Sequence, residues 1–132
     1  MPDSKTIYII DDDPEDRMLL RLAIEDVTKN VKVVELEDGL ELIRLIQQKK
    51  VLRINLILLD MNMPKSNGLE TIRLLRAHSK HAGIPTVMLS TSSNPVHIAW
   101  AYDAGVDHFF TKPTTYEDLE IIVKQIATEY LA

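Results

Sequence analysis

The stretch Ile54-Asn55-Leu56-Ile57-Leu58-Leu59-Asp60 carries apolar side chains at consecutive positions, so neither of its faces can be left to water. At strand length, with Leu and β-branched residues pointing both ways, it reads as a central strand of a parallel sheet covered by helices on both sides. Asp60 ends it abruptly.

Working outward, the same pattern recurs. Upstream, Ile7-Tyr8-Ile9-Ile10 is a second buried strand, stopped by Asp11-Asp12-Asp13. Pro14 then suits the first turn of a helix, where the donor it lacks would be unsatisfied anyway. Asp13 suits the N-cap of that helix. Leu19, Leu20, Ala23, Ile24 and Val27 form its apolar face, Val31 to Leu36 reads as a strand, and Leu40, Ile43 and Ile46 mark the next helix. Downstream, Leu69, Ile72 and Leu75 predict a helix closed by Ala82-Gly83, and Thr86 to Leu89 predicts a strand. A short helix follows over Val96 to Ala104 and closes at Gly105; a strand runs from Asp107 to Thr111 and stops at Lys112-Pro113. Tyr116, Leu119, Val123, Ile126 and Tyr130 define a last helix.

These are five strand-helix units of about 25 residues each, an α/β architecture with a five-stranded parallel sheet and right-handed crossovers. The 132 residues are expected to make one domain, residues 1–132, with no output domain after the fifth helix. Cysteine is absent, which removes thiol catalysis and Cys-ligated zinc. Fifteen Lys and Arg against twenty Asp and Glu give a net charge of −5 with no basic run, which argues against a nucleic-acid surface. No signal peptide precedes the first strand and the longest apolar runs are strand-sized, so no membrane partner is expected and the cytoplasm is the default compartment.

In such a sheet the functional site lies beyond the carboxyl ends of the strands. Those ends deliver Asp11, Asp12 and Asp13 from the first strand, Asp60 from the third, Ser90 and Thr91 from the fourth, and Lys112 from the fifth. Two carboxylates about 4 Å apart repel by roughly 4 kcal/mol at an effective dielectric near 20. Clustered acids therefore call for a cation or a retained proton. Hard oxygen ligands without thiol or convergent His indicate Mg²⁺, with Mn²⁺ as the alternative. An acidic, metal-binding pocket beside a lysine and a hydroxyl is a phosphoryl-transfer set. Asp60 stands apart from the other acids and is the expected acceptor of an aspartyl-phosphate. Asp12 would hold the ion directly, and Asp11 through water or from the outer shell.

This arrangement resembles the receiver domains of two-component response regulators over essentially the whole chain. The resemblance is carried by Ile-Ile-Asp11-Asp12, by Leu-Leu-Asp60-Met-Asn62-Met-Pro64 with Gly68 beyond it, by Met-Leu-Ser90, and by Phe109-Phe110-Thr111-Lys112-Pro113. The intervals agree as well, thirty residues from Asp60 to Ser90 and twenty-two from Ser90 to Lys112. The resemblance implies a flavodoxin-like doubly wound fold, (βα)5, with strand order 2-1-3-4-5. It implies phosphorylation of Asp60 by a sensor histidine kinase in a Mg²⁺-dependent reaction, with Asp11, Asp12, Asp60 and the Asn62 backbone carbonyl around the metal. It also implies that Lys112 binds the phosphoryl group, that Ser90 and Phe109 form the switch, and that the Lys112–Pro113 bond is cis. Phe109 stands where Tyr is commoner in the family and so brings no hydroxyl. Asn62 and Ser92 occupy the positions that govern water access to the phosphoryl group; both are small and uncharged, so self-dephosphorylation is expected to persist.

The fourth helix, fifth strand and fifth helix would form the output face, toward a downstream protein, a phosphorelay component or a second copy in a homodimer. Trp100 and Tyr102 cannot both face the core, so one of them is expected to be exposed there. The Ser90-Thr91-Ser92-Ser93 stretch also looks similar to regulators paired with phytochrome kinases. A haloacid-dehalogenase-type phosphatase would need an acid two residues after Asp60, where this chain has Asn62. A flavin carrier would need a phosphate-binding first loop, which three acids would repel. Four His, at 78, 81, 97 and 108, raise the question of a metal site; His78 and His81, three residues apart near a helix end, read as surface or capping residues instead. The remaining alternative is a protein-interaction module of the same fold that works without phosphorylation.

Overall fold

The computed structural model describes residues 5–48, 53–61, 68–77 and 83–131. Strands and helices alternate along the chain as β1 Lys5–Ile10, α1 Pro14–Val27, β2 Val31–Leu36, α2 Gly39–Gln47, β3 Leu56–Asp60, α3 Gly68–Ala77, β4 Thr86–Ser90, α4 Pro95–Ala104, β5 His108–Thr111 and α5 Tyr116–Tyr130. The strands form one sheet in the order β2-β1-β3-β4-β5, and every pairing is parallel. This is the expected doubly wound (βα)5 flavodoxin-like fold.

Alternating strand residues feed two cores. Ile57 and Leu59 pack with Ile10, Met88 and Phe109 against Leu42 and Ile46 of α2, Ile72 and Leu75 of α3, and Ala101 of α4. Leu56 and Leu58 pack with Ile7, Ile9 and Val87 against Leu20, Ala23 and Ile24 of α1 and Val123 and Ile126 of α5. All five residues of β3 are buried, as are all five of β4, which is why the central segments read as unbroken apolar runs.

Element boundaries follow local chemistry. Asp13 caps α1, its carboxylate accepting from the Glu15 and Asp16 N–H groups with Pro14 in the first turn. Asn94 caps α4 through the Val96 N–H, and Thr115 caps α5 through Asp118. Gly105 ends α4 with φ +116°, a left-handed conformation that disfavours any side chain. The expected start of β3 shifts. Ile54 and Asn55 precede β3 rather than belonging to it, because the Asn55 side chain accepts from the Thr6 N–H at 2.8 Å and ties the approach to β1. The expected close of α3 at Ala82-Gly83 falls partly outside the described residues. At the rim opposite the strand ends, Arg76 of α3 donates to the Gly105 and Ile84 carbonyls and to Asp107, locking α3 to the turns that lead into β4 and β5. No described helix is long and apolar enough to cross a membrane.

Candidate functional site

The parallel sheet carries Asp11 and Asp60 side by side because β1 and β3 are neighbours in register, with Ile10 opposite Leu59. The Asp11 N–H donates to Leu36 O at 3.1 Å and the Met61 N–H to Leu89 O at 3.2 Å, so the ladders run one residue past the strands and hold both acids rigidly. Asp11 and Asp60 are buried, at 5% and 6% exposure, whereas Asp12 is exposed. One carboxylate oxygen from each of Asp11, Asp12 and Asp60 lies within 4.8 Å of the other two, an all-oxygen set that could hold a divalent cation. Gly68 lets α3 begin against this loop: its N–H donates to Met61 O at 2.8 Å, and a Cβ there would sit 2.7 Å from the Asp60 carbonyl.

Lys112 reaches the same carboxylates from β5. Its N–H donates to Ser90 O at 2.7 Å, fixing the backbone, and its Nζ lies 3.0 Å from Asp11 Oδ2, 3.0 Å from Asp16 Oδ2 and 3.5 Å from Asp60 Oδ1. Burial opposes the charge on this ammonium, but the bonds and fields of Asp11, Asp16 and Asp60 outweigh it and hold the lysine above its ordinary value. Burial likewise pushes the Asp11 carboxyl up, against the lowering effects of the Asp13 N–H and Lys112.

Ser90 ends β4 fully buried, and its Oγ accepts from the Ser92 N–H at 3.1 Å. Ser92 Oγ in turn meets His97 Nδ1 at 2.7 Å, and the His97 ring lies 5.3 Å from that of Trp100. Phe109 is buried beneath α4, and its backbone N–H donates to the Tyr102 hydroxyl at 3.1 Å.

The model of the family described as response regulator receiver domain matches residues 7–124. The chain belongs to that family. As a receiver domain of a two-component response regulator it is 30% identical over 131 residues to response regulator Rcp1 of Synechocystis sp., a match spanning 96% of this chain and 89% of Rcp1. Its fold superposes on the crystal structure of the phosphorylated cyanobacterial phytochrome response regulator RcpA with a TM-score of 0.90 at 33% identity, covering 98% of this receiver and 95% of RcpA. It superposes on the Mn²⁺-bound form of Rcp1 with a TM-score of 0.86 at 30% identity, covering 96% and 94% of the two chains.

In this receiver the tertiary fold brings together Asp11, Asp12, Asp60 and Lys112, with Ser90 at the end of the adjoining strand β4. Asn62 lies outside the described residues, as do His78 and His81. The expected cis bond before Pro113 is not found: no peptide bond is cis among the described residues. Trans is the lower-energy isomer, and the Lys112 side chain reaches its carboxylates with it in place. His97 bonds Ser92, and His108 stacks on Phe110 at 4.3 Å; neither joins the acidic cluster.

Trp100 and Tyr102 are both half-exposed, where one exposed ring was expected, because α4 buries only its small residues Ala101 and Ala104 deeply. Two partners escape a reading of the strand ends. Asp16 sits in the first turn of α1, where an acid looks like an ordinary complement to the helix dipole; one turn of helix is what swings it over Lys112. Arg17, beside it, donates to the Asp11 carbonyl and pairs with Glu35 at 3.2 Å, bracing the acidic loop against β2.

Proposed function

We propose that this receiver accepts a phosphoryl group on Asp60 from a phosphohistidine of a sensor kinase. The observation that carries the reading is the buried Asp60 carboxylate, with Oδ1 3.5 Å from Lys112 Nζ and an oxygen within 4.8 Å of Asp11 and Asp12 oxygens. An Asp60 oxygen bonds to phosphorus as the P–N bond breaks; the imidazole nitrogen leaves with the electron pair and takes up a proton. Asp11, Asp12 and Asp60, with the Asn62 carbonyl, would hold Mg²⁺ or Mn²⁺. When bound, the cation supplies positive charge opposite the transferring oxygens. Lys112 would balance the same charge, and the Ser90 hydroxyl would donate to a phosphoryl oxygen. Water later attacks phosphorus, releasing inorganic phosphate and restoring the carboxylate.

The switch runs through Ser90 and Phe109 to the face built by α4, β5 and α5. Phosphorylation shifts a pre-existing equilibrium of that face, and the output is a protein contact with a downstream target, a relay component or a second copy. The likeness to RcpA, described as a phytochrome response regulator, supports a light-sensing kinase as donor. The protein works in the cytoplasm and catalyses only its own phosphorylation and dephosphorylation.

The test is incubation with acetyl phosphate and Mg²⁺, followed by intact mass beside Asp60→Asn. The reading expects a gain of one phosphoryl group that is base-labile and absent from the variant. No gain with either acetyl phosphate or the cognate kinase would leave the phosphorylation-independent module as the function.

A further inference from the structure

We propose that Asp16 is a positioning residue that holds Lys112 back from the phosphoryl site. The proposal rests on Asp60 being the phospho-acceptor. In the unmodified domain the Lys112 ammonium makes its two short contacts, 3.0 Å each, to Asp11 and Asp16, and stands farther off, at 3.5 Å, from Asp60. A phosphoryl group on Asp60 brings new negatively charged oxygens that need the lysine, and they compete with Asp11 and Asp16 for its single positive charge.

Asp16 is the partner the lysine gives up. Asp11 belongs to the metal-competent set with Asp12 and Asp60, and its burial at 5% exposure makes it costly to leave unpaired. Asp16 lies outside that set, and its side chain is 41% exposed, so water can take over when the lysine departs. A cavity of about 130 Å³ opens on the Asp16 side of Lys112, between α1 and the β5–α5 loop, walled by Asp16, Leu20, Pro113 and Leu119, and gives water a place beside the Asp16 carboxylate when the lysine leaves it. Asp16 thus sets a threshold: each activation must first break one partly exposed ion pair.

Removing that pair makes the activated arrangement easier to reach, by about two- to five-fold for a partly exposed pair. The decisive comparison is Asp16→Asn against Glu15→Gln. Glu15 is exposed in the same helical turn and its loss removes the same charge, but it makes no described bond to Lys112. Affinity for beryllofluoride with Mg²⁺ and the phosphorylation rate with acetyl phosphate are measured at constant ionic strength, alongside the Lys112 Nζ NMR resonance at fixed neutral pH.

Asp16→Asn is expected to raise affinity and rate about two- to five-fold and to move the Lys112 resonance, with Glu15→Gln changing neither. Equal gains in both variants would overturn the proposal in favour of long-range charge, and so would an unmoved Lys112 resonance in Asp16→Asn. A wild type that takes neither beryllofluoride nor a phosphoryl group overturns the phospho-acceptor reading itself, and the threshold with it. In that outcome a shifted Lys112 resonance in Asp16→Asn would still establish the pair.

Discussion

Lys112 Nζ lies 3.0 Å from Asp11 Oδ2, joining the last strand of the sheet to the first across 101 residues of sequence. The contact opposes, without cancelling, the burial that pushes the Asp11 carboxyl up. Replacing Lys112 by Met should therefore cost stability, on the order of 3 kcal/mol in metal-free protein at neutral pH, because Asp11 and Asp60 remain buried without their cation. Added Mg²⁺ should recover part of the loss. The pH dependence has a definite sign. The lysine is held above its ordinary value of 10.5, so its contribution is complete below that pH and disappears as pH rises through the raised value. Urea melts above pH 10 should show wild type losing stability faster than Lys112→Met; parallel slopes would contradict the pairing.

Divalent metal should stabilise the fold through the three carboxylates. Binding to the native state alone contributes about 2.7 kcal/mol at one hundred times Kd. Thermal melts with and without Mg²⁺ should show the shift in wild type and its near loss in Asp12→Asn and in Asp60→Asn. Without metal, Asp60→Asn should be the more stable protein by on the order of 1 kcal/mol, since it removes one of the mutually repelling acids.

Phosphorylation should be visible in Trp100, the chain's one tryptophan. Ser90 Oγ is bonded to the Ser92 N–H, Ser92 Oγ to His97, and His97 lies against Trp100, so a move of Ser90 is passed to the indole. Emission should change on adding acetyl phosphate and Mg²⁺. Ser92→Ala should still gain the phosphoryl mass while losing most of the fluorescence response. An unchanged response in that variant would show that the signal reaches α4 by another route.

Gly68→Ala should damage the site through the backbone. The new Cβ would meet the Asp60 carbonyl at 2.7 Å and the Met61 Cα at 3.0 Å, neither of which can yield without moving the backbone at the end of β3. A cost of about 1–3 kcal/mol in chemical denaturation is expected, with weaker metal binding than wild type. A variant with unchanged stability and metal affinity would show that the backbone at Asp60 and Met61 is softer than its contacts imply.

Much of this receiver was legible in the chain because its signals are local. The runs at Ile7–Ile10 and Leu56–Leu59 are apolar on both faces only if helices cover both, and Asp13-Pro14 and Gly105 mark helix ends by their own backbone chemistry. Parallel strands all point one way, so residues that follow them must share a rim. Asp11, Asp12, Asp60, Ser90 and Lys112 are therefore grouped by their positions after the strands alone.

What the sequence determined by itself was therefore the architecture and the chemical inventory of the site. The tertiary structure decided the pairings within it: that Lys112 leans on Asp16 as closely as on Asp11, that Ser92 is tied to His97, and that Trp100 and Tyr102 both stay half-exposed. Strand-end placement follows from periodicity along one chain. Which carboxylate a long side chain reaches depends on helix rotation and on fractions of an ångström between elements far apart in sequence, and only packing sets those.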